Sequence, residues 1–425
     1  MASFSIPLTG LDADSTAMNT IANNLANMNT TGFKAQTVNF ADLFYQQIGE
    51  SGSGDPLQVG AGTQVASTST DFSNGTPTST GVDTDVALQG NGFFVVSNGT
   101  SQYLTNAGDF SIAANGNLIT ADGLNVMGYP AVNGVVNTNA PLVPINIPQS
   151  AILPPQATTS FSMTANLNSA GANQTFPATE TIYDSLGQAH TATITYTQTG
   201  VNTWSYSVAL PAADFAAGVS VPVTGTMTFD ANGNLATVTP TGAAGPETVG
   251  TAAGDVSSIP VAFTGLADQA RNLNMNWNLL GTAGTPTISQ VAAQSAVSAS
   301  NQNGFASGQY QSFTIGSDGT VTVSYSSGPP LNVGQIALGT VANLQGLQDV
   351  GNGDYATTLS SGNAVIGTSG TSGLGTLQNG ALENSNVNIS QEFSDLIIAQ
   401  RAFEANSKTV TTFDTITQET IQMIH

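Results

Sequence analysis

The chain's two imidazoles are His190 and His425. Imidazole is a common zinc ligand and the usual proton carrier near neutral pH. Neither stands in an HExxH or other metal-ligand spacing, and His190 opens an alternating stretch, HTATITYTQ, that reads as a strand. The best paired carboxylates are Asp83 and Asp85 in GVDTDVAL, spaced so that a strand would turn both to one side. Such a pair can divide acid and base work, but solvated aspartates at a turn edge are far commoner. QGNGFF carries GxG alone, without the further motif that a phosphate cradle needs. DANGNL, Asp230–Leu235, has glycine fourth rather than sixth and no closing glutamate, which favours a β-turn over a calcium loop. With no cysteine, thiol nucleophiles, disulfides and thiolate metal sites are excluded. The expectation is a protein with no catalytic residue, no cofactor and no metal.

Charge narrows the partners. Acidic residues number 26 against four bases, Lys34, Arg271, Arg401 and Lys408, for a formal net charge of −22. No basic patch exists to neutralise phosphates, so nucleic acid is excluded as a partner and anionic membrane surfaces are disfavoured. No apolar run approaches the roughly 20 residues of a membrane helix. MASFSIPLTG has neither the basic nor the apolar region of a cleaved secretory signal. Yet 46 Gly, 18 Pro and only 7% charged residues suit β-rich, turn-rich domains that work outside the cell.

The elements that must position these residues are helical at the ends and β between. Phe4, Leu11, Met18 and Leu25 recur every seven residues, alternating with Ile21 and Met28, until Thr30-Thr31-Gly32 ends the pattern. At the far end Ile389, Leu396, Phe403, Val410, Thr417 and Ile424 repeat the spacing, with Ala399 and Phe413 alongside and a start near Ser390. Asn23, Asn24, Asn27 and Asn29 are poor helix formers set into the first seam. Between the ends, TATITYTQ and TWSYSVAL alternate as strands, and NGT, ANGNL, SLG and SDG mark hairpin turns.

Composition shifts place the boundaries. The expected fold is mainly β with terminal α-helices, nested and multi-domain. Residues 1–35 with 384–425 form a helical core, and 36–69 and 361–383 serve as linkers. An inner β domain takes 70–145 with 288–360, and an outer one, 146–287, is inserted in it. Nesting brings both ends to one pole, where two helices too short to stand alone can pair in a coiled-coil-like polymer core. The expectation is that they order fully only when neighbouring copies cover the seam.

LTGLDADSTAMNTIANNLANMNTTGFK and IAQRAFEANSKTVTTFDTITQETI resemble the N- and C-terminal signatures of the bacterial flagellar axial proteins: rod, hook and hook-associated subunits. TDFSNGTPTSTGVDTDVALQGNGFFVVS and YLTNAGDFSIAANGNLITADGLNVMGYP are similar to the β domain shared by its distal-rod and hook branches. TIYDSLGQAHTATITYT resembles the outer domain that only the hook branch carries. The resemblance spans nearly the whole chain. It implies a homopolymer: a helical tube between rod and filament that bends as a universal joint. It also implies contact with rod and hook–filament junction proteins, a hook cap, and export through the flagellar type III apparatus to the cell exterior. The implied polymer interface is Leu11, Met18, Ile21, Asn24, Leu25, Met28, Leu396, Phe403, Val410 and Phe413; that Asn23, Asn24, Asn27 and Asn29 offer amides to adjacent subunits is our own expectation. Two positions depart from the family: Asn106 stands where arginine is common and Phe403 where tyrosine is usual. Alternatives are a distal-rod or hook-associated subunit, or a secreted β-rich adhesin.

Overall fold

The computed structural model describes residues 5–50 and 56–423. Phe4, Ile424 and His425, and the linker glycines Gly52 and Gly54, lie outside the described residues. Helix α1 is Ser5–Ala26 and helix α2 is Ile389–Met423; nearly everything between is strand and turn. α2 is capped by Asn388, whose Oδ1 accepts the N–H groups of Ser390 and Gln391 at 3.1 and 3.3 Å. α1 ends at Ala26, short of the Thr30-Thr31-Gly32 stop expected from sequence and before Met28; Gly32 takes the left-handed φ of 66°.

Much of the two stretches expected as linkers is paired strand. Gln36–Asp42 runs antiparallel to Thr63–Thr70, and Gln46–Glu50 to Pro56–Val59. QTVNFAD and TQVASTST are rich in β-branched residues, which favour a pleated surface. In the return stretch, Thr376–Asn379 pairs with Val86–Gln89 and Ala381–Glu383 with Pro77–Ser79.

The chain folds as two compact units. The first comprises the described residues as far as Gln149, Ser312–Val323, and those from Leu331 on; the second is Ser150–Gln311 with Ser324–Pro330. In the first, strands Phe93–Ser97, Gln102–Thr105, Asn125–Val132 and Leu331–Thr340 pair antiparallel around Phe93, Val95, Leu104, Met127, Ala337 and Tyr355. Phe72, Phe93 and Tyr355 meet edge to face, with centroids 5.4–5.8 Å apart. Asp83 and Asp85 do not share a strand face: Asp83 is exposed in the turn, while Asp85 is buried and accepts from Thr80 Oγ1 at 2.6 Å. The strand begins only at Val86.

The second unit buries one core between two sheets. One is an antiparallel meander running from Thr175–Tyr183 to Glu247–Thr248. The other places Ser160–Asn168 beside Leu273–Asn278 and Ile288–Val291, with Ala296–Gln302 paired antiparallel to it. Residues 288–302, expected in the inner domain, therefore belong to this unit, because their backbone completes its second sheet. Strand Ala189–Gly200 alternates buried and exposed as its sequence requires. Trp204, Trp277, Tyr196, Tyr206 and Phe161 fill the centre, and Trp204 Nε1 donates to Gln290 Oε1 at 2.7 Å. DANGNL is a turn: Asp230 Oδ1 accepts the N–H groups of Asn232 and Asn234, both at 2.8 Å.

Candidate functional site

The two helices, joined in one unit, close on small and polar side chains. Asn406 Nδ2 donates to Asp14 Oδ2 at 2.8 Å, and a Cβ added at Gly10 would meet that same nitrogen at 2.7 Å. Ala17 and Ile21 of α1 share a groove with Asp395, Ile398, Ala399 and Ala402 of α2. The contact positions 10, 14, 17, 21 and 24 on α1, and 392, 395, 399, 402 and 406 on α2, alternate threes and fours as a coiled-coil seam does. Their residue types permit close approach but bury little apolar surface.

The heptad residues named from sequence sit beside this seam. Leu11, Met18 and Leu25 each follow a contact residue (Gly10, Ala17, Asn24), which turns them about 100° around the helix. All three are half-buried. Leu396 and Phe403 likewise follow Asp395 and Ala402; Leu396 and Val410 are half-buried, and Phe403 is 37% exposed. Ile21 lies in the shared groove, Phe413 continues the register of Asn406, and Met28 lies beyond the end of α1, exposed. Sequence reading missed Phe393, Ile397 and Ile398, which are 53%, 53% and 65% exposed. The run Leu396-Ile397-Ile398 was the available signal, since consecutive apolar residues cannot all share one helix face.

Asn24 has a different role from the one expected. Its Nδ2 donates to Gln36 O at 2.8 Å and to Glu392 Oε1 at 2.9 Å, while its Oδ1 accepts the Gln36 N–H at 3.0 Å. Only 1% of it is exposed, so its amide clamps α1, the first strand and α2 within one chain and is not offered to a neighbour. Asn27 Nδ2 donates to Asn23 O at 3.0 Å and its Oδ1 accepts from Thr30 Oγ1 at 3.1 Å, which shapes the helix end. The amide run thus serves termination and docking.

Below the helices a buried latch ties their roots together. Lys34 Nζ lies 2.8 Å from Glu383 Oε1, with side-chain exposures of 1% and 2%. The ammonium also donates to Ser73 O at 3.0 Å, and the Gly75 N–H to Glu383 Oε1 at 2.7 Å. Asn386 accepts the Ala35 N–H at 2.8 Å and donates to Asp71 O at 2.8 Å. Asn106 lies against Gly32 and is buried; its Nδ2 reaches Gly92 O at 3.4 Å, and its Oδ1 has no partner among the described residues.

A cavity of about 560 Å³ beside the end of α1 is lined by Asp109, Asp122, Asp349 and Asp354. Burial, reinforced by the charge of Asp122, pushes the Asp354 carboxyl up to about 7. The unfolded chain releases that proton near the ordinary value of 3.8, so this group's contribution to stability falls as pH rises from about 4 through 7. Asp354→Asn should therefore gain on the parent protein between pH 5 and pH 8 in urea unfolding. An equal pH dependence for the two proteins would reject this.

His190 is surrounded by carboxylates of the second unit, and Asp184, His190 and Asp268 present ligand atoms within 4.8 Å of one another.

Four family models match in chain order: Flagella basal body rod protein at 7–34, the FlgE/F/G hook protein D1 domain at 87–166, the FlaE D2 domain at 146–305, and the FlgEFG C-terminal region at 378–423. The flagellar hook proteins FlgE of Treponema pallidum and Escherichia coli are each 35% identical to the chain, over 96% and 97% of it and 96% and 98% of their own lengths. The chain belongs to the flagellar hook protein family. It is a structural subunit of the flagellar hook. The Borreliella burgdorferi hook protein is 31% identical over 98% of both chains. Helicobacter pylori FlgE2 shares the fold at a TM-score of 0.55, covering 72% of this chain at 15% identity. The family is one of structural subunits that polymerise, not of known enzymes. No helix among the described residues is long and apolar enough to cross a membrane.

Proposed function

We propose that this hook subunit polymerises through the faces its helix pair leaves open, forming a helical tube that bends as a universal joint between rod and filament. One observation carries the reading. Apart from Ile21, the intrachain seam uses glycine, alanine, asparagine and acids, while leucine, methionine and phenylalanine stand one position round, incompletely covered. A soluble monomer gains nothing from that arrangement, but a neighbouring helix pair would bury it. Leu11, Met18, Leu25, Leu396, Phe403 and Val410 are the residues for that contact, with Ile21, Met28 and Phe413 at its margins. The tube's ends meet rod and hook–filament junction proteins, and a cap guides growth. Subunits reach the exterior through the flagellar type III apparatus. Within the tube, the sparse charge of each subunit keeps lateral repulsion modest under salt screening.

Full-length protein brought slowly to high salt should form tubes visible by electron microscopy. Phe403→Asp with Ile397→Asp alters side chains left 37% and 53% exposed, so the monomer should keep its circular dichroism and lose little of its unfolding midpoint. Tube formation should be lost. Tubes of ordinary length from the double variant would refute the assignment.

A further inference from the structure

The second unit gathers one imidazole and three carboxylates at one end of its meander. His190 is 6% exposed; its Nδ1 lies 3.0 Å from Asp214 Oδ2, and its Nε2 lies 3.3 Å from Asp184 Oδ2 and 4.0 Å from Asp268 Oδ2. Asp184 is fully buried, and its Oδ1 accepts the N–H groups of Leu186 and Gln188 at 2.8 and 2.9 Å. Asp268 Oδ1 accepts the Ala270 N–H at 3.0 Å. Both carboxylates thus have one oxygen committed to backbone and turn the other toward Nε2. The one base nearby in sequence, Arg271, is exposed and forms no ion pair with the cluster among the described residues.

A neutral imidazole has one N–H to give. Donated to Asp214, it leaves the Nε2 lone pair aimed at two groups that only accept. A charge-assisted N–H···O bond measures about 2.7–2.9 Å, and 3.3 Å is long for one. Two ligands bound tetrahedrally at about 2.0–2.1 Å stand about 3.3 Å apart, which is the Nε2–Asp184 separation. A histidine that hands its other N–H to a carboxylate is also the usual arrangement behind a metal.

We propose that Asp184 Oδ2, His190 Nε2 and Asp268 Oδ2 bind a divalent ion of zinc's class, with Asp214 holding the ring from its far side. The ion would offset part of three negative charges. It would staple the turn at 184–188, the start of strand Ala189–Gly200 and the loop carrying Asp268. In a domain without cysteine, it serves as the cross-link that a disulfide supplies elsewhere. The half-exposed Asp268 side leaves a fourth position for water.

The test is calorimetric titration of chelator-stripped full-length protein with Zn²⁺, joined to thermal unfolding followed by tryptophan fluorescence. Both tryptophans, Trp204 and Trp277, lie in this unit. The expected result is one ion per chain and a raised midpoint. Asp268→Asn should fold alike without metal and lose both effects, and Asp214→Asn should bind about 10–100-fold more weakly. No stoichiometric binding would overturn the site, as would equal binding by Asp268→Asn. So would an NMR spectrum showing both ring nitrogens of His190 protonated in saturating Zn²⁺, the signature of a plain imidazolium–carboxylate clamp.

Discussion

Replacing Lys34 with methionine should cost the first unit about 3–5 kcal/mol, the usual loss when one member of a buried ion pair is removed. The carboxylate left behind has little else to lean on. Glu383 Oε1 would keep the Gly75 N–H, while Oε2 already has no hydrogen-bond partner among the described residues. Ser73 O would also lose its ammonium donor. Urea unfolding followed by far-ultraviolet circular dichroism reads the first unit; tryptophan fluorescence reads the second and should hardly move. Lys34→Met joined to Glu383→Leu should recover most of the loss, because two apolar side chains leave no charge stranded. A single-variant loss under 1 kcal/mol, or a double variant worse than the single, would show that the latch is not what joins the helix roots to the β core.

Gly32→Val is the second large effect, and its origin is backbone, not charge. At φ 66° a β-branched residue is strained, and the added Cβ would fall 2.7–2.9 Å from the backbone atoms of Asn106 and Ala107. Backbone cannot swing aside as a side-chain tip can. Strain alone costs about 1–3 kcal/mol, and relief of the clash would displace the segment that carries Lys34 to Glu383. The Gly32 N–H bond to Glu383 O at 2.8 Å would go with it. The expected result is a lower unfolding midpoint for the first unit, with shortened or absent tubes in high salt. A variant with the parent midpoint would mean that the contact with residues 106–107 opens without penalty.

Both substitutions act on the roots of the helices, whereas Phe403→Asp with Ile397→Asp acts on their open faces. The two classes separate folding from assembly. Root variants should lose stability and tubes together; face variants should lose tubes alone. That contrast follows from where each side chain sits, 1–2% exposed for the latch and 37–53% for the faces.

Much of this was legible in the residues themselves. Seven-residue spacing of apolar side chains is a local property, so the helices at both ends could be read before any contact was known. Strand alternation in TATITYTQ and TWSYSVAL follows equally from the period-2 pleat. The long terminal signatures carried the resemblance to flagellar axial proteins. The absence of cysteine excludes thiol chemistry, and four scattered bases gave no reason to expect a phosphate-binding patch.

What only the tertiary structure decided is which of two adjacent helix faces closes within the chain. Leu11 and Gly10 both fall on heptad-spaced rows, one residue apart, and periodicity cannot choose between them. The choice is made by Asn406 and Glu392, which meet Asp14 and Asn24 from nearly four hundred residues away. The same holds for the Lys34–Glu383 latch, for Asn24 turned inward to Gln36, and for His190, whose carboxylate neighbours come from three separate loops and turns. Polar recognition between distant segments leaves no period in a sequence, because burial and pairing are properties of the folded surface and not of local spacing.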